Sequence, residues 1–367
     1  MINWIYPRTT LAERIISDMK NNLSDRVTIF APRKRGKTKF VQHDIIPLAL
    51  SQGVLPVYID FWWNEDDPVD SFCVGVNESL NAYTPTLDRI KANKKLTSLE
   101  ISAFWLKMKA ETAAEPLSNL ELCIQRLNQV DMPVLLLLDE VQHLGTRKEF
   151  SKFTKTLRSF MTARADNKIK AIFTGSNQNG LKRLFKDTKA PFYEASSGVP
   201  FKELDAEFVR FQLNNFTEAT NGLEVDFESA MAFFELHHFK PQPLTTLLQK
   251  MVSSRVVDIS YAIDHLEMDF EDEDITEKQL LARSESDLGI LYLIAIGQNE
   301  GLFSQNTVDK LRLFNFGKER AINLSELSNA KNRLLKDNLI TNPARGEYQL
   351  ESPELQEVIL AAYKNRY

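Results

Sequence analysis

The chain has 367 residues, of which 43% are hydrophobic and 26% charged. That make-up belongs to a globular protein of about two or three domains and excludes a disordered or fibrous chain. Its net charge of -5 excludes a surface coated in nucleic-acid-binding charge, though it leaves room for a local basic face.

Three further exclusions follow from the same reading. No apolar run approaches the roughly 20 residues of a membrane span. Met1-Ile2-Asn3-Trp4 lacks the basic, apolar, small-residue order of a signal peptide, so the expectation is a cytoplasmic protein without a membrane partner. Cys73 and Cys123 are too few for a disulfide framework and lack metal-ligand spacing, which makes buried free thiols the expectation.

The first predicted strand is Val27-Thr28-Ile29-Phe30, and it feeds Ala31-Pro32-Arg33-Lys34-Arg35-Gly36-Lys37-Thr38. The pattern G-x-x-x-x-G-K-[S/T] sets backbone amides around phosphate oxygens, a lysine on the β- and γ-phosphates and a hydroxyl on magnesium. Gly36, Lys37 and Thr38 fit that pattern, and Ala31 stands where its first glycine belongs. Alanine costs little there as long as its φ stays negative. The competing reading is a basic surface turn that matches by chance.

Lys39 to Leu50 reads as the helix after this loop and Val57 to Phe61 as the next strand, the repeating unit of a parallel α/β sheet. Residues 62 to 131 carry mixed helical signal, including the periodic Leu117, Leu120, Cys123 and Leu127. Trp62, Trp63, Phe104 and Trp105 suit base stacking, but such aromatics more often cover a core edge, and the latter is the expectation.

Pro133-Val134-Leu135-Leu136-Leu137-Leu138-Asp139-Glu140 is an unbroken apolar run ending in two carboxylates, the pattern of a buried parallel strand that opens into a site. In that reading Asp139 holds magnesium directly or through water, and Glu140 polarises the attacking water. A core strand ending in a solvated acidic turn is the bland alternative. The phosphate loop and this run together form a specific pair, and they point to ATP.

Phe150 to Arg164 is predicted as an amphipathic helix and Ile169 to Thr174 as a buried strand, after which polar groups of Gly175-Ser176-Asn177 would face the γ-phosphate. Helices are predicted at Ala206 to Phe216, Phe227 to His237, Pro243 to Val252 and Asp258 to Met268. The acidic stretch Asp269 to Asp274 reads as a solvated linker.

From Ser284 onward the reading is a winged helix, with helices at Leu288 to Ile296 and Asn306 to Leu313. A third helix buries Leu327, Ala330, Leu334 and Leu335 and turns Lys331, Asn332, Arg333 and Lys336 outward. A hairpin follows around Asn342-Pro343-Ala344-Arg345-Gly346. This module either presents a helix to the major groove of duplex DNA, with Arg345 on a wing, or packs on protein. The predicted architecture is α/β: a parallel-sheet P-loop NTPase core at 1–204, a helical lid with acidic linker at 205–283 and a C-terminal winged helix at 284–367.

Ala31 to Thr38, Val57 to Asp60, Leu135 to Glu140 and Phe173-Thr174-Gly175-Ser176 together resemble the archaeal-type ATPases, in the STAND branch of the AAA+ P-loop NTPases and related to origin-recognition initiators. The resemblance spans nearly the whole chain. It implies an ATP- and Mg2+-dependent hydrolase in which Lys37 and Thr38 bind phosphate and magnesium and Asp139 and Glu140 serve metal and water. It makes Ser176 or Thr174 the polar sensor and places Tyr6-Pro7-Arg8 near adenine. Pro241-Gln242-Pro243 looks like the Gly-x-Pro of the family's helical domain without its glycine. The family's Gly-Arg after a Pro-Leu pair is missing at Pro191-Phe192-Tyr193-Glu194-Ala195, so a trans-acting arginine has to come from elsewhere, with Arg158, Arg164 and Arg183 as substitutes. The implied roles are replication or mobile-element movement on DNA, or a STAND-like signalling or defence switch that assembles into nucleotide-dependent homo-oligomers.

Overall fold

The structure, a computed structural model, describes residues 2–64, 66–92, 119–145, 148–162, 169–176, 181, 184–185, 190, 192–193, 195–266, 277–317, 321–342, 346–351 and 354–366. Strands β1 (Arg26–Phe30), β2 (Leu55–Asp60), β3 (Val134–Asp139), β4 (Ile169–Gly175) and β5 (Ser197–Pro200) form a five-stranded sheet in the order β2-β3-β4-β1-β5. Every pairing in it is parallel.

The connection from β1 crosses to the β2 edge, whereas all later connections run back the other way. Right-handed crossovers therefore cover both faces, and a crevice opens where the direction reverses. On one face α1 (Thr9–Lys20), α2 (Lys37–Phe40) and α3 (Ile46–Ser51) pack Ile15, Met19, Phe40 and Ile46 against Val27, Ile29, Leu135, Leu137 and Ile172. On the other, α4 (Pro68–Ala92), α5 (Asn119–Gln129) and α6 (Ser151–Thr162) pack Phe72, Leu127, Phe153 and Leu157 against Val57, Leu136, Leu138, Ala171 and Phe173. Successive leucines of β3 thus enter opposite cores, which is why that strand reads as an unbroken apolar run. Cys73 and Cys123 are both buried free thiols. Burial, then hydrogen bonding to Cys123, pushes the Cys73 thiol up to about 12.

The helix predicted from Lys39 begins at Lys37, directly after the left-handed Gly36, and a π-helical turn at Val41–Ile45 joins α2 to α3. β5 went unrecognised. It is a short edge strand that exposes most of its residues and so carries no apolar pattern.

The second module packs α7 (Ala206–Thr220), α8 (Phe227–Leu236), α9 (Pro241–Ser254) and α10 (Ile259–His265) around Phe208, Phe216, Phe234, Leu244 and Met251. Asp205, Asp226 and Asp258 start three of these helices by accepting from backbone amides of their first turns. The N-terminal segment is tied to this module: Gln212 and Asn215 donate to the carbonyls of Trp4 and Asn3, each at 2.9 Å. The acidic stretch Asp269 to Asp274 lies outside the described residues.

The C-terminal region is a winged helix. α11 (Glu277–Leu281), α12 (Glu285–Ala295), α13 (Gln305–Leu313), α14 (Leu324–Lys336) and α15 (Glu354–Arg366) enclose Leu291, Leu311, Leu327, Leu334 and Ile359, with β6 (Ile340–Thr341) antiparallel to β7 (Gln349–Leu350). The predicted wing residue Arg345 lies outside the described residues. No helix among the described residues is long and apolar enough to cross a membrane.

One member of the expected basic face is engaged elsewhere. Arg333 donates to both carboxylate oxygens of Asp287, at 2.7 Å in the shortest contact, and to the hydroxyls of Ser284 and Ser286. The Asp287 side chain is only 5% exposed, so the pair fastens α14 to the start of α12. Arg333→Ala strands a buried carboxylate and is expected to cost about 2 kcal/mol. Amide exchange across α12 and α14 should accelerate accordingly, and unchanged protection there would refute the anchoring role.

Candidate functional site

The sheet's C-terminal edge assembles the site. β4 lies between β1 and β3, with Phe30 aligned on Gly175 and Leu138 on Phe173, so the polar end of β4 is inserted between the phosphate loop and the paired carboxylates. Gly36 caps α2 with φ 86°, a left-handed conformation that a side chain would strain. Ala31 is buried and is not among the positive-φ residues, so the substitution at the first glycine position is accommodated. Lys34 and Glu140 are non-glycine residues in the left-handed region, with φ of 59° and 51°. Strain of that kind persists where surrounding contacts dictate the backbone.

Lys37 is 4% exposed, and its Nζ donates to the carbonyls of Ala31 at 2.7 Å and Pro32 at 2.9 Å. Glu140 Oε1 is 4.0 Å from the same nitrogen. Burial lowers the Lys37 pKa, while Glu140 and then Asp139 pull it back up. Lys37 thus rests against its own loop, with a carboxylate behind it.

Asp139 is 2% exposed and saturated with donors. Thr38 and Tyr58 hydroxyls donate to its Oδ2, each at 2.8 Å. The Thr174 hydroxyl and the Glu140 amide donate to Oδ1. Burial, then the charge of Asp139, raises the Tyr58 pKa and keeps the phenol a donor. Glu140 Oε2 accepts from Ser176 at 2.7 Å and from the Gln142 amide.

A cavity of about 790 Å³ opens beside these groups, lined by Lys37, Thr38, Asp139 and Glu140, by Lys240 and Pro241 to Pro243 at the start of α9, and by Glu357 of α15. A second cavity of about 220 Å³ lies behind the loop among Arg8, Ala31, Pro32, Arg35, Phe201 and Phe239. Arg8 donates to the carbonyl of Lys202 at 2.7 Å and holds its guanidinium 4.0 Å from the centre of the Phe201 ring, and burial lowers its pKa.

The two loop arginines part ways: Arg33 lines the cleft, whereas Arg35 points away from it. Arg35 is 5% exposed; it donates to the carbonyl of His238 and pairs with Glu203 at 3.3 Å. His238 and Phe239 are consecutive left-handed residues, and the His238 ring lies 3.7 Å from Glu357. Arg33 stacks over Trp62 at 4.5 Å. Contrary to the core-edge expectation, Trp62 and Trp63 are 42% and 63% exposed, and Trp62 lines the cleft. Phe104 and Trp105 lie outside the described residues, as do Arg164 and Arg183. Arg158 lies beside Arg26, where β1 begins, at the opposite end of the sheet from the loop, so it does not serve its own chain's cleft. Sequence reasoning missed Tyr58 and Gln142. Tyr58 could have been found as the residue between Val57 and Ile59 that faces the opposite side of β2.

The donor set suits a hard cation. Thr38 and Asp139 offer oxygen, and the described residues contain no cluster of His, Cys, Asp or Glu able to cage a metal by themselves. Magnesium, which keeps several waters and binds jointly to protein and phosphate oxygens, fits such a half-site.

No protein-family model and no curated protein sequence matches this chain. Among solved structures it is similar to a Walker-type ATPase of Pyrococcus abyssi, with a TM-score of 0.60 and 17% identity over 97% of this chain and 96% of that one. It is also similar to the ORC2 protein of Aeropyrum pernix in its ADP form, with a TM-score of 0.59 and 15% identity over 99% and 95% of the two chains. The complexes of ORC2 with ADPNP and ADP align with a TM-score of 0.56 and 15% identity over 97% and 93%. The parallel sheet with its inserted fourth strand, the loop after β1 and the helical and winged-helix modules in this order give the chain the same fold as this Walker-type ATPase and the ORC2 protein.

Proposed function

We propose that the chain is an ATP-binding, ATP-hydrolysing switch divided into a core at 1–204, a lid at 205–283 and a winged helix at 284–367. The observation that carries this reading is the convergence of Lys37, Thr38, Asp139 and Glu140 on one cleft, with Ser176 on Glu140. The likeness to ORC2, described in ADP and ADPNP complexes, supports it.

Residues 31–38 would wrap the phosphates, with Lys37 exchanging the carbonyls of Ala31 and Pro32 for phosphate oxygens. The side chain of Arg8 would bound the base site. Glu140 would take a proton from the attacking water while Ser176 donates beside it. Thr38 and Asp139 would hold magnesium, which supplies charge neutralisation at the phosphates. Adding ATP with Mg2+ should raise the thermal midpoint in a concentration-dependent way, as any ligand selective for the folded state does. A midpoint indifferent to ATP, with no heat on titration, would remove the proposal.

For the output, the first reading is a nucleic-acid-linked ATPase acting in replication or mobile-element movement. With Arg333 engaged by Asp287, Lys331 and Lys336 remain as the phosphate-contacting candidates on α14. Charge reversal of both should weaken duplex binding and lower its salt slope by about 2, near 0.9 per lost contact. Absence of duplex binding by the unaltered protein at low salt, with or without ATP, would defeat this reading. The second reading is a STAND-like signalling or defence switch that forms homo-oligomers or binds protein, and the position of Glu357 against the cleft favours it.

A further inference from the structure

Gln142 is 4% exposed, stands just beyond the paired carboxylates, and belongs to none of the roles assigned above. Its carboxamide nitrogen donates to Glu140 Oε2 and, at 3.2 Å, to Ser176 Oγ. Its carboxamide oxygen is buried with no hydrogen-bond partner among the described residues. The reversed orientation would turn that oxygen onto a carboxylate oxygen, so the donor role follows from the chemistry of Glu140. A buried unpaired oxygen costs free energy, and the bond to a charged acceptor is what offsets it.

The backbone is shaped for the same contact. A Cβ on Gly175 would come within 2.7 Å of the Gln142 oxygen, so β4 leaves room for this amide by carrying glycine beside it. Glu140 itself holds φ 51°. The αL glutamate and the glycine beside the amide both lie at this contact, and the glycine also leaves room for Leu181.

We infer that Gln142 is a positioning residue for hydrolysis: it fixes the Glu140 carboxylate, together with Ser176, in the orientation from which it accepts the water's proton. This rests on the ATP-hydrolysing reading. Removing the donor leaves the carboxylate free to swing. A misplacement of about 1 Å costs up to roughly a hundredfold in rate. ATP binding does not depend on this contact, since Lys37 and Thr38 are untouched by it.

Gln142→Met keeps the side chain's length and removes the donor. It is expected to lower kcat by about ten- to a hundredfold with KM and ATP affinity unchanged, and to add no further loss when built on Glu140→Gln. Gly175→Ala, whose methyl would crowd the amide oxygen and the Leu181 side chain together, should lower kcat in the same direction. A kcat for Gln142→Met equal to that of the unaltered chain, or losses that multiply in the double variant, would overturn the inference while leaving the ATPase reading intact. A chain in which Lys37→Ala binds ATP normally would overturn the ATPase reading first. A chain that binds ATP through Lys37 without ever hydrolysing it would end the positioning role too.

Discussion

Lys37→Ala is expected to weaken ATP binding by at least about a hundredfold, which in practice abolishes it at ordinary concentrations, while the chain stays folded. The motif sets this lysine on both the β- and γ-phosphates, so two charged hydrogen bonds of about 1.5–3 kcal/mol each are lost, and each 1.4 kcal/mol is a tenfold change in affinity. Lys37 Nζ lies over the loop carbonyls of Ala31 and Pro32, where it can transfer to an incoming phosphate. Its removal also deletes a desolvated charge, so the cost of unpairing those carbonyls is partly offset and the far-ultraviolet dichroism should not change. Calorimetric titration with ATP and Mg2+ decides the matter. Affinity equal to that of the unaltered chain would show that the cleft does not bind phosphate.

The second large effect is expected at Glu140. Glu140→Gln should retain ATP and hydrolyse it at least roughly a hundredfold more slowly, the usual loss on removing a general base. The amide oxygen can still accept from Ser176 and from Gln142, so the local hydrogen-bond pattern survives and binding is preserved. What disappears is the capacity to take a proton. Single-turnover hydrolysis separates this from slow product release, and a normal single-turnover rate would move the base to another residue.

Much of the fold was legible in the sequence because its strands bury both faces and its helices bury one. β3 could be read from its leucines alone, and α14 from Leu327, Ala330 and Leu334. Features defined by exposure or by the tertiary path were not legible. β5 is an edge with few buried atoms, and nothing local marks it. The outward turn of Arg35 has no sequence signature, since a guanidinium in a phosphate loop looks like a phosphate ligand until Glu203 and the His238 carbonyl are seen beside it. Arg333 misled for a related reason. Helical periodicity separates the apolar stripe from the rest, but a position flanking the stripe can still reach a buried partner such as Asp287. Gln142 shows the opposite case: its position after Asp139 and Glu140 was visible, but its role depends on which way Gly175 lets the amide turn.

Arg35 joins two parts of the molecule that need not otherwise move together. Its backbone belongs to the loop, its guanidinium grips the turn at His238 and Phe239, and that turn touches Glu357 of α15. If the loop reshapes around ATP, as the proposed function requires, these contacts would carry the movement to the lid and from the lid to the terminal helix. Linkage makes such a chain run both ways with equal strength: whatever factor ATP applies to the freedom of α15, a partner that captures α15 must apply to the affinity for ATP. Occupancy of the cleft and engagement of the far module then become readings of a single equilibrium, and either one could be measured to report the other.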